Sequence, residues 1–169
     1  MRWKWIQALY DPDPLRHHTA ASAGEDGLVI PLEVFEQVFH EHYGDRDFEA
    51  RVRDVDWTPI AWDSITMSGS QLRQMGVPRT YQFAVDEARA FTVEEGLHDD
   101  RPEVVEHWQT AGTWRVPPVL IAGSVIGHSD SDELLVGFTR LGNLLGLIDR
   151  GEVPGAAKHR VWLGRRRSD

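Results

Sequence analysis

The most regular pattern in the chain lies in its C-terminal third. Leu141, Leu144, Leu145 and Ile148 recur at i, i+3, i+4 and i+7, which places them on one stripe of a helix. Gly151 is placed to end that helix. Upstream, Glu133-Leu134-Leu135-Val136 reads as a strand, and Gly137-Phe138-Thr139 forms a tight passage from it into the helix. Val116-Pro117-Pro118-Val119-Leu120-Ile121 reads as an earlier strand whose prolines sit at its start, where a missing N–H is tolerated. Ala122 to Asp132 is a polar turn between the two strands. After the helix, His159-Arg160-Val161-Trp162-Leu163 alternates and predicts a closing strand.

The first two thirds of the chain are less regular. Trp3 and Trp5 alternate, as on one face of a strand. Residues 10–27, rich in Asp, Pro, Gly and Ser, read as a loop. A helix follows from Pro31, with Leu32, Phe35 and Phe39 on one side and Gly44 as its stop. Residues 51–67 carry Val55, Trp57, Ile60, Trp62 and Ile65 with Pro59 between them, and suggest an extended segment. Ser68-Gly69-Ser70 precedes a short helical piece ended by Gly76 and Pro78. Thr80 is placed to cap a longer helix bearing Tyr81, Ala84, Val85, Ala88 and Phe91. Asp100 and Pro102 open another, with Val104, Val105 and Trp108, closed near Gly112. Strands and helices together predict an α+β layered domain.

Composition narrows what such a domain does. At 169 residues the chain is expected to form a single domain, long enough to fold without disulfides or structural metal. It has no cysteine, which removes disulfides, thiolate metal sites and cysteine nucleophiles. The formal net charge is −9, so phosphate backbones are repelled and a duplex-DNA role is not expected. No apolar run approaches a membrane span and no signal peptide is visible, so a cytoplasmic protein without membrane partners is expected. Charge is uneven: residues 86–108 carry eight acidic and two basic side chains, while Arg165-Arg166-Arg167 form a basic tail. Only Lys4 and Lys158 are lysines among the basic residues, a bias that suits a GC-rich bacterial source.

The segment from Pro117 to Leu163 resembles the ParB/sulfiredoxin-like superfamily. The matching residues are Pro117-Pro118-Val119, the box Leu135-Val136-Gly137-Phe138-Thr139-Arg140, and the helix Leu141-Gly142-Asn143-Leu144-Leu145-Gly146-Leu147. The resemblance implies a small mixed sheet with packed helices over residues 111–164, an N-terminal helical elaboration over 1–110 and a tail at 165–169. It also implies ATP or CTP phosphates, with Mg²⁺, held at the Gly-x-x-Arg turn. The physics of such a turn agrees. The first N–H groups of a helix lack intrahelical partners and carry partial positive charge, so they attract anions. Gly137, Thr139 and Arg140 are therefore the candidate binding residues, with Thr139 as cap and Arg140 as forked cation.

The box also departs from the family. Sulfiredoxin has a cysteine just after the box glycine and ParB a glutamate; this chain has Phe138. Short relatives read Glu-Gly-His-Thr-Arg-Leu-Gly, whereas Val136 and Phe138 replace their glutamate and histidine here. Sulfur chemistry is excluded without a thiol. Phosphotransfer would need a carboxylate from elsewhere, with Asp11, Asp13, Asp130 and Asp132 as guesses, so no catalytic residue is identified. Asp130-Ser131-Asp132 suits either a plain turn or a nucleotide-bound Mg²⁺. His17-His18 and His40/His42 lack helical zinc spacing, and no resident metal is expected. Ser68-Gly69-Ser70 is not a nucleophile elbow. No Walker A, no Gly-x-Gly-x-x-Gly and no helix–turn–helix is present. The seven tryptophans fit core packing better than a ligand platform. Two function classes stay open. One is a nucleotide-binding protein with ATPase or phosphotransferase activity. The other is a catalytically silent module that binds another bacterial protein as regulator, immunity factor or defence component.

Overall fold

A computed structural model describes residues 2–24, 29–127 and 131–167. Among them run α1 (Trp3–Ala8), α2 (Pro14–Ser22), α3 (Leu32–Phe35) continued by a π-helical turn at Glu36–His40, and α4 (Arg46–Val52). Then come β1 (Ile60–Ser68), α5 (Gly69–Leu72), α6 (Arg79–Glu94), α7 (Pro102–Ala111), β2 (Val119–Ile121) and α8 (Gly123–Ile126). The chain ends with β3 (Glu133–Val136), α9 (Phe138–Asp149) and β4 (Lys158–Arg166). The four strands form one sheet in the order β1-β4-β2-β3. β1 and β4 are antiparallel: Arg167 donates to the Pro59 carbonyl at one end, and Gly69 to Ala157 at the other. β4 and β2 run parallel, with Trp162 donating to Pro118 and Ala122 to Gly164. The sheet is thus mixed and the class α+β, as the pattern predicts.

The chain forms two compact units. The first comprises Met1–Asp63, Ile121–Asp132 and Leu163–Asp169. Its core is aromatic: Trp3 lies against Phe39 and Phe48, and Phe39 meets Trp57 edge-on at 4.9 Å. Three sequence expectations fail in this unit. Trp3 and Trp5 lie on a helix, where residues two apart diverge, so Trp3 is buried and Trp5 exposed. Residues 10–27 hold α2, because Asp13 accepts N–H bonds from Leu15 and Arg16 while Pro14 occupies the first helical position. The extended segment expected from 51 begins only at Ile60; before it Asp45 caps α4, which buries Phe48 and Val52. The helix expected from Pro31 widens into the π turn, where Glu41 donates to the Glu36 carbonyl at 2.9 Å and the consecutive residues Gln37, Val38 and Phe39 are all buried.

The second unit comprises Ser64–Leu120 and Glu133–Trp162. Its centre is the close pairing of α6 with α9. A Cβ on Gly142 would lie 2.5 Å from the Val85 carbonyl oxygen, and one on Gly146 2.5 Å from Thr92 Cβ. The two glycines, four apart, let the backbones of the helices approach. Buried Asn143 seals the contact, its Oδ1 accepting from the Thr92 hydroxyl at 2.9 Å and from the His98 N–H at 3.2 Å. At the far end Asp149 takes Arg89 and Arg73 at 2.6 and 2.7 Å. Burial works to raise the Asp149 pKa, but the two guanidiniums outweigh it and hold it below the usual carboxylate value. Thr80 does not cap α6, which starts at Arg79 after Pro78. Gly112, at φ 63°, closes α7 as expected. The polar turn expected after β2 contains the short helix α8.

Candidate functional site

The site singled out by sequence is the turn from β3 into α9. Val136 ends the strand with its side chain buried. Gly137 then takes φ 100°, ψ 32°, a conformation glycine adopts without strain. A Cβ there would also stand 2.7 Å from Pro118 Cβ and 3.1 Å from Pro118 Cα. Both the angle and the approach of Pro118 demand glycine. Gly137 is itself the cap residue of α9, without a side chain to offer, and its carbonyl accepts from Leu141 at 3.0 Å. Thr139 therefore cannot be the cap: α9 begins at Phe138, and Thr139 lies within its first turn. Phe138 stacks on Tyr81, ring centroids 4.3 Å apart and planes within 8°.

Arg140 folds back over the turn. Its Nη1 donates to the Val116 carbonyl at 2.9 Å and to the Pro117 carbonyl at 3.4 Å. Its Nε is 3.3 Å from where a Gly137 Cβ would stand. Gly137 and Arg140 thus close around the residues that lead into β2. Pro117 is buried, and its carbonyl needs a donor; Val116 beside it is exposed. Arg140, half-buried, supplies one.

The carboxylates offered as catalytic candidates have structural partners. Asp11 accepts the Asp13 N–H, and Asp13 caps α2. Asp132 pairs with Arg165 at 3.3 Å. Asp130 lies outside the described residues. Asp11, Asp13 and Asp132 belong to the first unit, whereas Gly137, Thr139 and Arg140 belong to the second. Among the described residues no group of three or more His, Asp or Glu side chains is placed to hold a metal ion. Ser68 caps α5 in a reciprocal capping box with Gln71, and the Ser70 hydroxyl donates to the Gly155 carbonyl. Arg165 and Arg166 are the last residues of β4, not a separate tail. Among the described residues no helix is long and apolar enough to cross a membrane.

Two groupings escaped the sequence. In the first unit His17 and His40, on different elements, bring their Nδ1 atoms within 3.5 Å. His17 Nε2–H donates to the Ile6 carbonyl at 3.0 Å, which leaves Nδ1 of the neutral ring as an acceptor facing His40. Burial lowers the pKa of His17, which is fully enclosed. Tyr10 stacks on Tyr43 at 3.7 Å beside this pair. In the second unit the outer face of α6 carries Phe83, the most exposed large apolar side chain among the described residues at 72%. Its phase opposite Val85 and Ala88 was legible in the sequence.

No family model, no curated protein and no solved structure matches this chain. A functional reading therefore draws on the residues and their geometry.

Proposed function

We propose that this chain is a catalytically silent protein-binding module whose C-terminal third has a ParB/sulfiredoxin-like frame. The observation that carries the reading is the pair of hydrogen bonds from Arg140 to the Val116 and Pro117 carbonyls. The guanidinium that would grip a phosphate latches the start of β2 instead. Three further facts support it. Val136 is buried, Phe138 is stacked on Tyr81, and Thr139 is not positioned to cap. The positions that carry chemistry in the family are packing positions in this chain. For phosphate the turn offers the first-turn amides of α9 and a guanidinium whose Nη1 is already engaged.

Thermal melting with and without Mg·ATP or Mg·CTP tests this. A ligand at a hundred times its Kd stabilises the native state by about 2.7 kcal/mol, or roughly 5–10 °C for a chain of this size. The expected result is no shift with either nucleotide. Arg140→Ala removes one donor shared by the Val116 and Pro117 carbonyls and lowers Tm by about 2–4 °C, equally with and without nucleotide. A nucleotide-dependent rise in Tm that Arg140→Ala abolishes would overturn the reading in favour of a phosphate site.

A further inference from the structure

On α6 the inward side is settled: Val85, Ala88 and Thr92 are buried, with α9 packed over them. The opposite side repeats at three and four with Phe83, Asp86, Glu87, Ala90 and Glu94, all exposed. Val93, 43% exposed, lies beside them. Asp86, Arg89, Ala90, Val93 and Glu94 line an open depression of about 370 Å³. The face therefore joins an aromatic side chain in water, a shallow depression one to three turns further along in which Ala90 and Val93 lie among charged side chains, and three carboxylates around both. Two cations share this side of the helix: Arg89, already paired with Asp149, and Arg79, exposed one turn before Phe83, so the carboxylates outnumber the remaining cation three to one. Exposing Phe83 adds nothing to the fold, since its ring is largely in solvent in the native state.

We propose that this face docks a basic amphipathic helix of a partner protein. The inference rests on the protein-binding reading and names the chemistry of the partner. Apolar side chains of the partner, spaced at i, i+3/i+4 and i+7, would seat against Phe83 and on Ala90 and Val93 in the depression, with Lys or Arg on their flanks meeting Asp86, Glu87 and Glu94. The 16 residues of α6 offer about 24 Å of length, enough for four turns of such a helix. Charge selects the occupant. A second copy packed antiparallel about a two-fold axis at mid-helix would set Asp86 against Glu87 twice over at its centre. Anionic lipid headgroups and nucleic-acid phosphates meet the same repulsion, deepened by the net charge of −9.

The probe is a fluorescein-labelled 18-residue peptide of Leu and Lys with its leucines on one helical stripe. Its companions are the same residues scrambled to abolish the stripe, and a Leu/Glu version. Anisotropy titrations use the full chain near physiological salt. The striped Leu/Lys peptide binds at least tenfold more tightly than either companion. Phe83→Ala and Val93→Asp each weaken it at least tenfold with Tm unchanged, because both side chains lie at the surface. Glu87→Gln with Glu94→Gln weakens it and flattens its salt dependence, whereas Glu106→Gln on α7 leaves it alone. Equal binding of the scrambled peptide, indifference to Phe83→Ala, or no binding each overturns the proposal. The nucleotide melts decide the module reading separately: a nucleotide shift overturns that reading whatever the peptide does, and a failed peptide titration removes this face while leaving the Arg140 latch untouched.

Discussion

Replacing Gly142 by alanine sets two effects of opposite sign against each other. In the interior of a helix alanine is favoured over glycine by about 1 kcal/mol, so propensity alone predicts a more stable protein. Packing predicts the reverse. The added carbon would stand 2.5 Å from the Val85 carbonyl oxygen, 2.6 Å from Ala88 Cβ and 3.1 Å from the Arg89 nitrogen. Ordinary contact begins near 3.5 Å, so α6 and α9 must part by roughly 1 Å. Two of the three obstructing atoms are backbone, and no rotamer change moves them. Overpacking of this kind costs about 1–3 kcal/mol, and the separation also stretches the Thr92–Asn143 bond and the Asp149 ion pairs. The balance is about 2 kcal/mol of net destabilisation, or a Tm lower by about 4–8 °C. Urea and thermal denaturation of Gly142→Ala read it directly. Ala90→Gly, on the exposed side of α6, calibrates propensity at about 1 kcal/mol without touching the interface. Adding Ala88→Gly to Gly142→Ala recovers only part of the loss, because the Val85 carbonyl stays in the way. A Gly142→Ala protein as stable as the parent, or more so, would refute the close pairing of the two helices.

Further outcomes follow from the turn and from the buried imidazoles. Gly137→Ala combines a backbone strain of about 1–3 kcal/mol with a collision at Pro118, so it lowers the urea midpoint by more than Arg140→Ala does; a smaller effect would mean that Pro118 is not packed against the turn. His17 and His159 are held neutral in the native state, His17 by burial above all, with His40 adding to it, and His159 by burial alone. Their native pKa values lie below the unfolded value near 6.5. Stability is therefore full above that pH and falls as pH drops through it toward the native values, since the unfolded chain gains protons that the native chain refuses. The two sites together give a slope of at most about 2.7 kcal/mol per pH unit. Urea unfolding at pH 8, 6.5 and 5.5 measures it; His17→Asn and His159→Phe should each halve the slope, and an unchanged slope would clear that residue.

What the sequence disclosed was mostly local. The proline pair before β2, the stripe on α9 and the stop at Gly151 each act within a few residues, and those elements were legible for that reason. The same local reading misled where one residue serves two purposes. Asp13-Pro14 reads as a breaker of structure, yet it is also a good helix start, and α2 begins there. Gly142 and Gly146 read as neutral gaps in an apolar stripe. They are contact points, and their spacing of four was the available signal. The pairing of His17 with His40, and of Arg140 with Val116 and Pro117, depends on tertiary proximity that no local pattern carries.

The Gly-x-x-Arg box can be understood without a ligand. Two consecutive prolines lead into β2, and the carbonyl of buried Pro117 needs a donor. Gly137 lets the β3–α9 turn come within reach of Pro118, and Arg140, one helical turn into α9, delivers the donor. Glycine and arginine thus answer one structural demand from two sides. A phosphate bound at this turn would meet a guanidinium whose Nη1 is already engaged at the start of β2. The apolar residues at 136 and 138, which give a phosphate nothing to react with, weigh toward the latch.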